Sequence, residues 1–214
     1  MTRFRLLVPI AFAALLAGAL ACATPKEDAT REVHSSAIGY RVAIPSDWTL
    51  VDREMLPLLT EASEGAGVET VDPAMLASVR ASVESGDMEF LFLATGTPAF
   101  RDNVNVLRTP GALPPSQAAV PLTCAMTLRQ LSDALRAPVA LRRCELQQVG
   151  GKRAFFLDWN NPVQKTRSLQ YLFPRTPSTL LIVTGAFSEE TAETNGERLR
   201  AFVESMEIDA GSAP

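Results

Sequence analysis

Histidine and cysteine, the side chains most often used for nucleophilic and acid–base chemistry near neutral pH, are few in this chain and far apart. The only histidine, His34, sits in a polar stretch near the start. A Ser-His-Asp or Cys-His arrangement would need that stretch to fold back onto a distant partner. Three cysteines, Cys22, Cys124 and Cys144, and the one histidine lack the closely spaced ligand pairs of a thiolate zinc site. No G-x-x-x-x-G-K-S/T or G-x-G-x-x-G motif is present to cradle a phosphate. Gly65-Ala66-Gly67 lacks the third glycine and follows no clear strand. The residues therefore imply no cofactor, no metal and no catalytic set.

Carboxylates remain. Asp158 stands in a strand-like run between Leu157 and Trp159, and a half-buried acid there would have the raised pKa of a glycosidase-type proton donor. In the other reading it points to the alternate face with Phe156 and Asn160, paired or solvated. Glu89 lies in a second apolar run. With His34 and Asp158 it completes the set whose substitution tests for catalysis. Trp48 and Trp159 offer ring faces for stacking on a ligand, against the alternative of packing in the core.

The cysteines point to an address. Arg3 and Arg5 precede an apolar run from Leu6, and Gly18-Ala19-Leu20-Ala21 leads into Cys22. That is the layout of a bacterial secretion signal ending at a lipid-modifiable cysteine. Ala19-Leu20-Ala21 is also an A-x-A site for ordinary signal cleavage, and both readings cut before Cys22. The apolar run of roughly 16 residues is short of the ~20 that span a bilayer. A lipid on Cys22 leaves Cys124 and Cys144 as an even pair in an oxidising compartment. A bridge between them closes a loop of about 20 residues, worth about 3 kcal/mol. Two buried free thiols are the alternative.

Removing Arg3 and Arg5 from the 20 basic residues leaves 18 against 24 acidic ones, a net charge of −6. Arg142-Arg143 and Lys152-Arg153 are only pairs, so the clustered basic footprint of a nucleic-acid binder is absent. The organisation expected is a signal peptide over 1–21 and a lipid-bearing, solvated linker over 22–37. One domain over 38–208 and a short tail over 209–214 follow.

Alternation of Tyr40, Val42 and Ile44 opens the domain with a strand, Pro45-Ser46-Asp47 turns the chain, and Trp48–Val51 returns it. A short helix over 54–61 and a longer one from Asp72-Pro73 to near Gly86 come next. Strands follow at Met88–Thr95 and Asn103–Leu107. A Pro-rich connection leads into a helix over 122–137, whose apolar positions are Met126, Leu128, Leu131 and Leu135. Four strands then run as a meander over 139–148, 153–160, 166–173 and 179–186. Gly150-Gly151 and Asn160-Asn161-Pro162 mark the first two links as hairpins. Ser188 is the expected cap of a closing helix, with Glu189 and Glu190 in its first turn. A large, mainly antiparallel sheet covered by helices makes an α/β/α sandwich of the α+β class.

Gly39-Tyr40-Arg41-Val42-Ala43-Ile44-Pro45-Ser46-Asp47-Trp48 resembles the opening of the PsbP-like fold. Asn103-Val104-Asn105-Val106, Gly150-Gly151-Lys152-Arg153-Ala154, Gln170-Tyr171 and Leu181-Ile182-Val183-Thr184-Gly185 are similar to later strands of that fold, in order. The likeness spans residues 37–208 and extends to envelope lipoproteins of the LpqN-like and DcrB-like kinds. It implies a non-enzymatic role and carries no functional residue across. The expectation is a binding or scaffolding module held to a membrane through Cys22, with an envelope protein or small ligand as partner and no nucleic acid. A small envelope hydrolase using paired carboxylates is the alternative. In the binding reading the loops at 96–101 and 160–165 are contact surfaces.

Overall fold

The computed structural model describes residues 30–51, 81–97, 100–162 and 164–209. The segment expected as a signal peptide, Cys22, the helix expected over 54–61, the start of the helix expected from Asp72 and the tail expected beyond Asp209 lie outside these residues. In chain order the elements are β1 (Thr30–Ser35), β2 (Tyr40–Pro45), β3 (Trp48–Val51), β4 (Met88–Thr97) and β5 (Phe100–Pro110). A 3-10 turn (Gln117–Ala119), α1 (Val120–Leu135), β6 (Ala140–Val149), β7 (Lys152–Asn161), β8 (Thr166–Thr176), β9 (Thr179–Ser188), α2 (Ala192–Ser205) and β10 (Glu207–Ile208) complete them.

Seven strands form one antiparallel sheet in the order β3-β4-β5-β9-β8-β7-β6, and β1-β2-β10 form a small second sheet. Side chains alternate across each strand, which sorts them onto two faces. On one face Leu91, Val104, Phe156, Tyr171 and Val183 pack under Leu199, Phe202 and Val203 of α2 and under Tyr40, Val42 and Ile44 of β2. On the other, Phe90, Leu107, Phe155, Leu157, Leu172 and Ile182 pack with Val120 and Leu131 of α1. Both faces are covered, which gives the α/β/α sandwich expected.

Two glycine sites show how the sequence permits this geometry. Gly150 and Gly151 have φ of 54° and 75°, the left-handed pair that a two-residue β6–β7 hairpin demands. Gly185 lies under α2, where a Cβ would stand 2.7 Å from Leu199 Cδ2. Its absence lets the helix close on β9.

Three expectations are corrected. Thr30–Ser35, expected inside a linker over 22–37, is a strand that pairs with β2 residue for residue from Thr30↔Pro45 to Ser35↔Tyr40. The segment is polar because β1 is an exposed edge strand, with Val33 its main apolar contact. Gly96, Thr97, Phe100 and Arg101, expected in a loop over 96–101, are strand residues, with β4 and β5 paired at Gly96↔Arg101 and Thr97↔Phe100. Helix α2 starts at Ala192 with Thr191 at its N-cap position, so Glu193, not Glu189 or Glu190, occupies the first turn.

Candidate functional site

A cleft of about 410 Å³ opens between α1, the Pro-rich segment after β5 and the sheet. Its floor is Phe155 and Leu172, which are paired neighbours on β7 and β8. One wall is Thr123, Met126, Thr127 and Gln130, spaced so that all four share a single face of α1. The adjoining face, through Cys124, Leu128, Leu131 and Leu135, packs on the sheet. One helix thus anchors by one stripe and lines a cavity by the next.

The second wall is Ala112, Leu113, Pro114 and Pro115. It is fastened at two points: Arg153 Nη2 donates to the Pro114 carbonyl at 2.6 Å, and Gly111 N–H donates to the Ser178 carbonyl at 2.9 Å. The helix wall is tied down by a disulfide between Cys124 and Cys144, with Cα atoms 6.0 Å apart. Met126 at the cleft is 48% exposed, and Leu122, one turn before it, is 68% exposed. They are the large apolar side chains most open to solvent among the described residues. No lining residue is an acid, a base or a thiol.

The groups singled out for chemistry lie elsewhere. Asp158 is buried on the α2 face and accepts from both arms of Arg167, at 2.9 Å from Nε and 2.8 Å from Nη2. Arg142 lies 3.8 Å from the same carboxylate, and Arg167 also reaches Glu193 at 3.1 Å. The hydrogen bonds to Asp158 are the main cause that pushes the Arg167 guanidinium pKa upward. Asp158 is therefore a paired structural acid, with no second carboxylate bonded to it. Glu89 accepts from the Tyr40 hydroxyl, and burial together with that carboxylate raises the Tyr40 pKa. His34 is half-exposed on β1, 3.7 Å from Asp209, in the small sheet that packs on the face opposite the cleft.

Trp48 and Trp159 occupy opposite faces of the large sheet and are each 1% exposed. Trp48 packs on Phe202 with ring centroids 5.4 Å apart, under the guanidinium of Arg198. Neither indole presents a stacking surface to solvent, so the suggested ligand role gives way to packing. At 160–165, Asn161 holds the turn by accepting from Gln164 N–H at 3.2 Å.

Two buried polar features escaped the sequence reading. Asp102 is fully buried at the start of β5 and accepts from Ser188 N–H at 2.8 Å, Thr95 Oγ1 at 2.9 Å, Asn195 Nδ2 at 2.6 Å and the Thr191 hydroxyl. It pins the start of α2 to the β4–β5 hairpin with hydrogen bonds alone. On the α1 side of the sheet, Asn103, Asn105, Thr166, Ser168, Gln170 and Thr184 form a buried polar patch across β5, β9 and β8. Within it, Gln170 Nε2 donates to Thr184 Oγ1 at 2.9 Å. A strand-period run of Asn, Ser, Thr and Gln was the available signal for it. Among the described residues no acid, histidine or cysteine cluster could hold a metal, and no helix is long and apolar enough to cross a membrane.

No protein-family model and no curated protein matches the chain in sequence. Solved structures do. The chain is similar to cyanobacterial PsbP (CyanoP) from Synechocystis sp. PCC 6803, with a TM-score of 0.53, 12% identity, and 88% of this chain and 97% of that one covered. It is also similar to LpqN, involved in cell envelope biogenesis of Mycobacterium tuberculosis, at TM-score 0.45, 11% identity and coverage of 85% and 91%. The Saccharomyces cerevisiae Ran-binding protein Mog1p follows at 0.43, 10%, and coverage of 84% and 95%. Together with the two-faced sheet and its order of elements, the likeness to cyanobacterial PsbP shows that this chain has the PsbP-like fold.

Proposed function

We propose that this is a lipid-anchored protein of the bacterial cell envelope whose domain works by binding and not by catalysis. The observation that carries the binding half is the cleft. It is concave and largely apolar, and its lining contains no titratable group; its two hydroxyls, on Thr123 and Thr127, have no acid or base among the lining residues to activate them. The lining therefore offers no general acid or base. Asp158 is held by Arg167, Glu89 by Tyr40, and His34 belongs to the opposite face. The anchoring half rests on Cys22 and the apolar run before it. The bonded Cys124–Cys144 pair suits an oxidising compartment.

Each half has its own test. Detergent-phase partitioning of the wild-type and Cys22→Ser proteins should place only the wild type in the detergent phase. Both in the aqueous phase would mean simple export. In a deletion strain, His34→Ala, Glu89→Gln and Asp158→Asn should each restore the wild-type phenotype. Loss of function from one of them, at normal abundance and with normal circular dichroism, would show catalysis.

A further inference from the structure

The lining of the cleft narrows what can occupy it, on the binding reading above. Only Thr123, Thr127 and Gln130 bring polar side chains, and the Thr123 hydroxyl is already bonded to the Ala119 carbonyl at 3.0 Å. A charged ligand group would lose its water there and gain no counter-charge. Along the other wall, Pro114 and Pro115 have no N–H to offer, and the Pro114 carbonyl already takes the Arg153 bond. An extended peptide seated there would find only the Thr127 and Gln130 side chains opposite this wall and would leave most of its amides unpaired. A hydrocarbon has no such groups to satisfy. Phe155, Leu172, Leu113 and Met126 supply apolar contact from three sides, and the volume of about 410 Å³ is that of a ligand site.

We propose that the cleft holds a single hydrocarbon chain, with its polar head left in solvent at the exposed Met126. The chain belongs either to a free amphiphile or to a lipid of the bilayer, and the chemistry of the cleft is the same for both.

The test uses the exported chain with Cys22→Ser, which carries no acyl group of its own. Calorimetric titration with 1-octanol, 1-nonanol and 1-decanol should give an affinity that rises about fourfold per added methylene. Met126→Asp, at an exposed position, should weaken 1-decanol binding at least tenfold with circular dichroism unchanged. Gln130→Trp, which fills the cavity, should do the same by exclusion. Flotation with phosphatidylcholine vesicles that Met126→Asp abolishes assigns the chain to a bilayer lipid. Alkanol binding without flotation assigns it to a free amphiphile. No binding across the series, or an affinity that ignores chain length, overturns the hydrocarbon assignment. The binding reading would then still stand or fall on the deletion-strain test, which contains no lipid probe.

Discussion

Arg153 on β7 and Pro114 in the Pro-rich segment are joined by a 2.6 Å hydrogen bond from guanidinium to carbonyl, across 39 residues of chain. The bond fixes one wall of the cleft to the sheet that forms its floor. Prolines restrict the wall's own dihedrals, but they cannot tether it. Arg153→Met keeps the stem of the side chain and removes the donor. Because the guanidinium is solvent-accessible, the expected loss is about 1 kcal/mol, in the range for a single hydrogen bond. Urea unfolding should show a lower midpoint with an unchanged slope.

The opposite wall depends on Cys124 and Cys144. Their bridge closes 20 residues and ties the first half of α1 to β6. Cys144→Ser should lower stability by about 3 kcal/mol, the value for a loop of this size. Denaturant unfolding with and without a dithiol reductant checks it: the wild type should lose this stability on reduction and the variant should not respond. Equal stability of the two proteins in the absence of reductant would show that the bridge constrains nothing.

Tyr40 sets a pH dependence. Burial, then the neighbouring Glu89 carboxylate, lifts its folded pKa well above the ordinary value near 10. A group raised on folding contributes stability that is whole below the unfolded pKa and declines as pH rises past it. Stability should therefore fall above about pH 10, as unfolded tyrosine ionises and folded Tyr40 does not. Tyr40→Phe should flatten that fall while costing about 1 kcal/mol at neutral pH for the lost hydrogen bond to Glu89. Unfolding midpoints between pH 7 and 11 would show the two effects separately.

How much of this was legible in the sequence differs between fold and site. Tyr40–Ile44, the meander from β6 to β9 and both main helices announce themselves, because one face of each is buried and the apolar period survives. Gly150-Gly151 gives its hairpin away, since φ of 54° and 75° suits glycine. Thr30–Ser35 does not, because an exposed edge strand has no core face to write a pattern. The disulfide could be guessed from cysteine parity, and its geometry only from the packing of α1 on β6. The cleft was invisible for a different reason. Its lining comes from the Pro-rich segment, α1, β7 and β8, and none of those residues is of a type that signals chemistry. Asp158 and the two tryptophans drew notice by type, yet their neighbours give them structural work. Asp102 was overlooked because its partners lie 7 to 93 residues away.

The central claim is that this domain acts through the cleft beside Met126. Complementation of a deletion strain with Met126→Asp, at protein levels matched to wild type, tests it most directly. The substitution puts a charge at an exposed site, so the fold should be retained while the apolar mouth is lost. The account predicts that Met126→Asp fails to restore the phenotype while Asp158→Asn succeeds. Full activity of Met126→Asp together with failure of a folded Asp158→Asn protein would contradict it.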